Sequence, residues 1–132
     1  MNVNVLAVVV GAVVLFVLST AYYVALTAQL EAARAAASEP TRAGRPAPWK
    51  MALEIVRNVV LVAVVAGILS LAGVRDAGPA IVVALALWVA FPGVLWTGAV
   101  LWEGASPRLA AIHAGDWLLK LIAIALVVSL IR

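Results

Sequence analysis

The sequence predicts an all-α, polytopic membrane protein, a bundle of four transmembrane helices connected up-down-up-down. First, 67% of its 132 residues are apolar and 11% are charged, with a mean hydropathy of +1.18, whereas soluble domains contain about 25% charged residues. Second, the apolar residues form four runs, each close to the roughly 20 residues that a helix needs to cross a bilayer. This composition excludes soluble and disordered proteins, and the absence of cysteine excludes a disulfide scaffold. We expect one transmembrane domain over residues 1–132.

The first run covers residues 3–28 and contains no Asp, Glu, Lys, Arg or His. No Lys or Arg precedes it, and it is longer than the core of a signal peptide, so we expect a spanning helix. Residues 29–50 are polar and contain Pro40, Pro46 and Pro48, which a membrane-spanning backbone could not hold so close together. We expect residues 30–37 to extend the first helix by about two turns, and the remainder to form a loop.

The other three runs cover residues 51–71, 80–102 and 109–131. Gly73 and Pro79 follow the second run as a helix stop, and Ser106 with Pro107 is typical of an N-cap followed by a first-turn proline. Pro92 lies inside the third run and is expected to kink it. Short connections favour antiparallel neighbours, which predicts the up-down order.

Lys and Arg residues are distributed asymmetrically between the loops. The loops after the first and third helices carry Arg34, Arg42, Arg45, Lys50 and Arg108, whereas the opposite side carries Arg75 and Arg132. The positive-inside rule then places loop 29–50 and the third loop in the cytoplasm and both termini outside. We expect a bacterial inner (plasma) membrane.

The high pI, about 10.0, leaves nucleic-acid binding as an alternative. The basic residues of the long loop are interleaved with glutamates and prolines, which make a poor track for phosphates. We therefore expect the lipid bilayer, and no nucleic acid, as the partner.

Ionisable residues inside spanning segments are costly and mark functional or pairing sites. The second helix carries Glu54, Arg57 and Asn58, and the fourth carries His113, Asp116 and Lys120. These two helices start on the same side, so the groups lie at matching depths. We predict that Asp116 pairs with Lys120 at i+4 and that Glu54 reaches Arg57 at i+3 and Asn58 at i+4. Between helices, Arg57 is expected to form a bidentate pair with Asp116.

Two interpretations of these residues remain open. In the first, they form a structural ion-pair network that fixes helix register on the cytoplasmic half of the bundle. In the second, a water-filled vestibule lets His113, Asp116 and Lys120 bind an ion or relay protons. One His and no Cys do not provide a zinc site, and no nucleophile stands beside a base in sequence, so we expect no metal, cofactor or enzymatic activity.

Aromatic side chains are expected at two kinds of position. Tyr22, Tyr23, Trp49 and Trp102 lie near predicted helix ends, where aromatic residues anchor helices in the membrane interface. Trp88, Pro92 and Trp96 recur every four residues, and with Trp117 they either pack or line a pocket.

Small residues four apart permit close helix contacts, for example Ala7 with Gly11 and Ala111 with Gly115, and also Ala63 with Gly67 and Gly93 with Thr97. A bundle this small has little interior space. We therefore expect a homo-oligomer that acts as a structural or accessory unit, and the sequence leaves the identity of any membrane-protein partner open. The alternative is a small oligomeric channel or transporter for an ion, proton or small solute.

The chain resembles a family of small bacterial four-helix membrane proteins catalogued as domain of unknown function 1761. The resemblance lies in Asn2-Val3-Asn4, Tyr22-Tyr23, the region from Phe91 to Gly98, and Ala111-Ile112-His113-Ala114-Gly115-Asp116-Trp117. It implies a four-helix membrane architecture and no particular activity.

Overall fold

The computed structural model describes residues 3–40 and 44–131. Within these ranges it contains five helices and no strands: α1 Val5–Ala25, α2 Thr27–Ala36, α3 Pro48–Leu71, α4 Ala77–Trp102 and α5 Pro107–Leu130. Helices α1, α3, α4 and α5 are long and apolar enough to cross a membrane, which confirms the predicted all-α fold with four spans. The basic residues Arg42 and Arg132 lie outside the described residues.

Three helices begin earlier than expected because proline belongs to their first turns. Helix α3 starts at Pro48 and α5 at Pro107, and α4 starts two residues before Pro79. A first-turn residue has no helical acceptor for its N–H group, so proline loses nothing there. The N-cap predicted at Ser106 is confirmed, since its Oγ accepts a hydrogen bond from the Leu109 amide at 3.4 Å.

The first spanning helix ends at Ala25, earlier than residue 28, and continues after Leu26 as α2. The Thr27 hydroxyl donates to the carbonyl oxygens of Tyr23 and Val24 at 3.0 and 2.9 Å. Such side-chain bonds to backbone carbonyls bend helices. Helix α2 corresponds to the predicted polar extension of the first helix.

Gly73 ends α3 as predicted. It has φ of +68°, where residues with a Cβ are strained, and its N–H donates to Ser70 O at 3.2 Å while that of Val74 donates to Leu69 O at 2.9 Å. This pair of bonds is a Schellman motif, which satisfies the last carbonyl groups of the helix.

The disruption expected at Pro92 takes the form of a π-helical turn, Val89–Gly93, between the α-helical segments Ala77–Trp88 and Val94–Trp102. Proline lacks an N–H group and its ring collides with the carbonyl four residues earlier in a regular α-helix. The wider π turn accommodates the ring. At Gly93 a Cβ would lie 3.2 Å from the Trp88 carbonyl oxygen, so this turn also favours glycine.

Helices α1 and α5 form the middle of the bundle. They pack on each other, α3 packs mainly on α1, and α4 packs on α5. Consecutive helices α3 and α4 have no comparable contact, so the expectation that every sequential pair are neighbours is wrong for this pair. Helices α3 and α4 come near each other only beside the short loop 72–76 that joins them. There Leu69 and Ala80 both belong to the core around Ile124.

The contact between α1 and α3 is close enough to require a small residue. At Gly11, an added Cβ would lie 2.8 Å from Cγ1 of the fully buried Val62. Ala7, one turn earlier, is also buried, as expected for a small-residue pair at a helix interface. Elsewhere many large apolar side chains of the spanning helices are exposed, as is appropriate for contact with lipid.

Candidate functional site

A continuous series of side-chain contacts connects α1, α5 and α3. The Ser19 hydroxyl donates to Oδ1 of Asp116, and Asp116 Oδ2 lies 3.2 Å from Lys120 Nζ. Lys120 Nζ lies 3.1 Å from Glu54 Oε1, and Glu54 Oε2 accepts from Arg57 Nη1 at 2.8 Å. We call these five residues the polar chain.

Exposure rises steeply along the polar chain. Asp116 and Lys120 are 5% and 6% exposed, whereas the side chains of Glu54 and Arg57 are 30% and 60% exposed. Two acids and two bases balance in charge, as a site of low dielectric constant requires. The ions at the buried end depend on one another because water reaches neither of them freely.

The predicted pairs Asp116–Lys120 and Glu54–Arg57 are both confirmed. The predicted bidentate pair of Arg57 with Asp116 is wrong, because Lys120 lies between them and bonds both carboxylates. A helical side chain leans towards the N-terminus of its helix, so the Lys120 ammonium lies closer to Asp116 and Glu54 than its Cα position suggests. Sequence reasoning missed Ser19, whose only signal was a small hydroxyl group, next to that of Thr20, in a largely apolar run.

Asn58 is 1% exposed, and its Nδ2 has no hydrogen-bond partner among the described residues. The expected donation from Asn58 Nδ2 to Glu54 is therefore wrong. Most buried polar groups are paired, and an unpaired donor is costly. Asn58 thus places an unpaired donor in the interior of the bundle.

Asn58 contributes to a lateral groove of about 340 Å³ between α3 and α5. Its lining combines the polar residues Glu54, Arg57, Asn58 and Lys120 with Val56, Val60, Leu61, Val64 and Trp117. Lys120 Nζ lies 5.9 Å from the centroid of the Trp117 ring, a cation–π distance. We call this feature the α3–α5 groove.

His113 lies in an aromatic cluster with α1 and α4. Its Nδ1 is 2.8 Å from the Tyr23 hydroxyl, and its ring stacks on Trp96 with centroids 5.1 Å apart and an interplanar angle of 17°. The three α5 residues expected to act together are thus divided: Asp116 and Lys120 belong to the polar chain, and His113 to the aromatic cluster.

Two further side chains bind carbonyl groups of α5. The Tyr22 hydroxyl donates to Ile112 O at 2.7 Å, and Trp88 Nε1 donates to Ala114 O at 2.8 Å. Gly115 leaves room for the Tyr22 hydroxyl, which an added Cβ would meet. Tyr22 and Tyr23, expected in the membrane interface, both bond to α5 through their hydroxyl groups.

The four residues predicted to line a pocket are separated. Trp88 and Trp96 line a second cavity of about 300 Å³ between α4 and α5, where Trp96 Nε1 has no partner among the described residues. Trp117 lines the α3–α5 groove, and Pro92 is buried in its π turn. Over residues 3–40 and 44–131, no three His, Asp or Glu side chains are placed to hold a metal ion.

A family model described as "Protein of unknown function (DUF1761)" matches residues 6–129, nearly the whole chain. No curated protein and no solved structure matches this sequence.

Proposed function

The chain belongs to the DUF1761 family, whose description names no activity, and from the geometry we propose that it is a non-enzymatic, homo-oligomeric structural or accessory unit of a bacterial inner membrane. The polar chain supports this proposal. Both carboxylate oxygens of Asp116 and both of Glu54 form a hydrogen bond or an ion pair with side chains of the bundle itself. Through these contacts Asp116, Lys120 and Glu54 connect the helices of the bundle to one another.

Oligomer formation is supported by the position of α4. Among the described helices it packs mainly on α5, and it has the smallest buried share of the four spans, 17%. One face presents large apolar side chains around a small residue: Phe91, Val94, Leu95, Leu101 and Trp102 surround Gly98. A small residue within an apolar face is typical of close helix association in membranes.

The experiment is a comparison of Gly98→Leu with Ala21→Leu. Nothing lies within 4 Å of a Cβ built at Gly98, so a larger side chain is tolerated within one protomer. Ala21 is an exposed small residue on α1 and serves as the matched control. We expect native mass spectrometry and crosslinking in membranes to show dissociation of Gly98→Leu only. Recovery of monomer from the unmodified protein would refute the oligomer.

The orientation is part of the proposal: loops 26–47 and 103–106 face the cytoplasm, and both termini lie outside. The Lys and Arg excess of the first and third loops supports it. Because the chain has no cysteine, Ser38→Cys and Asp76→Cys each provide one labelling site. A membrane-impermeant maleimide applied to intact cells should label only Asp76→Cys, and labelling of Ser38→Cys instead would reverse the orientation.

Transport of an ion, proton or small solute is the second candidate. It is favoured by one observation, the opening of the polar chain into the α3–α5 groove at Arg57. If the chain transports protons, flux into proteoliposomes should fall in Asp116→Asn and depend on pH. Flux equal to that of protein-free liposomes would remove this candidate and leave the structural role.

A further inference from the structure

We propose that the α3–α5 groove binds a membrane phospholipid, with the phosphate at Arg57 and Asn58 and an acyl chain along Val60 and Val64. The inference does not depend on the oligomeric or accessory role, because the groove is formed within one chain. It rests on the unpaired amide donor of Asn58, on the free N–H groups of Arg57, and on the apolar wall of α3 that continues beyond them.

The polar end of the groove requires an acceptor. Asn58 Nδ2 is buried without a partner and Asn58 lines the groove. Arg57 carries five N–H groups, of which Nη1 bonds to Glu54, and its side chain is 60% exposed. Both oxygens of Glu54 are already engaged by Lys120 and Arg57. A lipid phosphate would supply further acceptors at this end of the groove, since phosphate oxygens match arginine and amide donors.

The remainder of the groove is apolar. Beyond Asn58, Val60, Leu61 and Val64 continue the wall along α3, and Val60 and Val64 are both more than half exposed. A free inorganic anion would make no favourable contact with these apolar side chains, whereas an acyl chain would pack against them. The combination of one polar and one apolar end matches a lipid.

The depth of the site also fits a headgroup. Arg57 lies eight residues after the exposed Trp49, which is about 12 Å along the helix axis at 1.5 Å per residue. Arginine leans towards the N-terminus of its helix and extends its charge towards the membrane surface. Its guanidinium therefore reaches towards the level of lipid phosphates while Val60 and Val64 lie deeper.

The test uses the full chain in detergent with three additives: phosphatidylglycerol, diacylglycerol with the same acyl chains, and inorganic phosphate. We expect phosphatidylglycerol to raise the melting temperature and to be retained in native mass spectra. Diacylglycerol and phosphate should do neither. A brominated acyl chain should quench fluorescence in the unmodified protein more than in Trp117→Phe, since Trp117 lines the groove.

Two variants locate the site. Asn58→Leu removes the unpaired donor, so without lipid it should be at least as stable as the unmodified protein, but its apparent Kd for phosphatidylglycerol should rise about tenfold, equivalent to one hydrogen bond to a charged group. Arg57→Gln should weaken binding similarly, and Arg75→Gln, in loop 72–76, is the charge-matched control.

Four results would overturn the proposal. Equal binding of diacylglycerol would show that the phosphate is not recognised, and stabilisation by inorganic phosphate alone would identify a free anion as the ligand. Unchanged affinity in both groove variants would place any lipid elsewhere. Dissociation of an oligomer by Asn58→Leu, with no lipid retained, would identify a second copy of the chain as the occupant.

Discussion

Lys120 holds two carboxylates, and its replacement by Met should be the most damaging single change in the polar chain. Lys120→Met leaves the carboxyl group of Asp116, which is 5% exposed, with Ser19 as its remaining partner in the polar chain. Removal of one partner from a buried ion pair costs about 3–5 kcal/mol. We therefore expect the free energy of unfolding to fall by about that amount.

Glu54→Gln is the matched comparison. Glu54 bonds the same ammonium at 3.1 Å but lies at the more exposed end of the chain. After this substitution Lys120 retains Asp116 at 3.2 Å, and the amide oxygen at position 54 still accepts a hydrogen bond. The expected loss is about 0–1 kcal/mol, the range of exposed pairs.

A double variant separates charge from packing. Asp116→Leu combined with Lys120→Met removes both buried ions and replaces them with apolar groups, which is often neutral or stabilising. Its stability should be within about 1 kcal/mol of the unmodified protein. Ser19 can then donate to a carbonyl of its own helix.

The assay is reversible unfolding in mixed micelles of a non-ionic detergent and sodium dodecyl sulfate, followed by tryptophan fluorescence. An equal fall in the free energy of unfolding for Lys120→Met and Glu54→Gln would refute the expectation that the buried pair contributes more than the exposed one. So would a double variant less stable than Lys120→Met alone, since the damage would then come from lost packing and not from an isolated charge.

Three further predictions use the same assay. Gly115→Ala should lose about 1–3 kcal/mol because its Cβ meets the Tyr22 hydroxyl, and Tyr22→Phe in that background should recover part of the loss; a neutral Gly115→Ala would contradict the close contact. Gly11→Ala should lower the free energy of unfolding by a similar amount, because its Cβ would lie 2.8 Å from Val62 Cγ1. Val62→Ala in that background should recover part of the loss, and no recovery would contradict the close contact. Trp88→Phe should lower the free energy of unfolding by about 1 kcal/mol, because it removes the hydrogen bond to the α5 backbone. An unchanged free energy of unfolding would show that this hydrogen bond contributes nothing to stability.

Composition and turn residues predicted the four spans, because crossing a bilayer imposes length and apolar content on each segment. Spacing along one helix also predicted Asp116–Lys120 and Glu54–Arg57, since residues three or four apart share a helix face.

Contacts between helices were predicted less well. Core and lipid-facing side chains are equally apolar in a membrane, so the sequence does not indicate how each helix is rotated about its axis. For that reason the contact from Lys120 to Glu54 and the role of Ser19 appear only in the structure. The same ambiguity hid the inward direction of Tyr22 and Tyr23.

The π turn at Val89–Gly93 shifts the phase of α4. In a regular α-helix, side chains eight residues apart point about 80° away from each other. One additional residue in the turn makes eight residues advance like seven, which brings Trp88 and Trp96 to within about 20°. Both tryptophans can therefore reach α5, one at Ala114 O and the other on the His113 ring. If this turn became regular α-helix with no residue removed, Trp96 would rotate by about 100° away from α5 while the length of the span hardly changed.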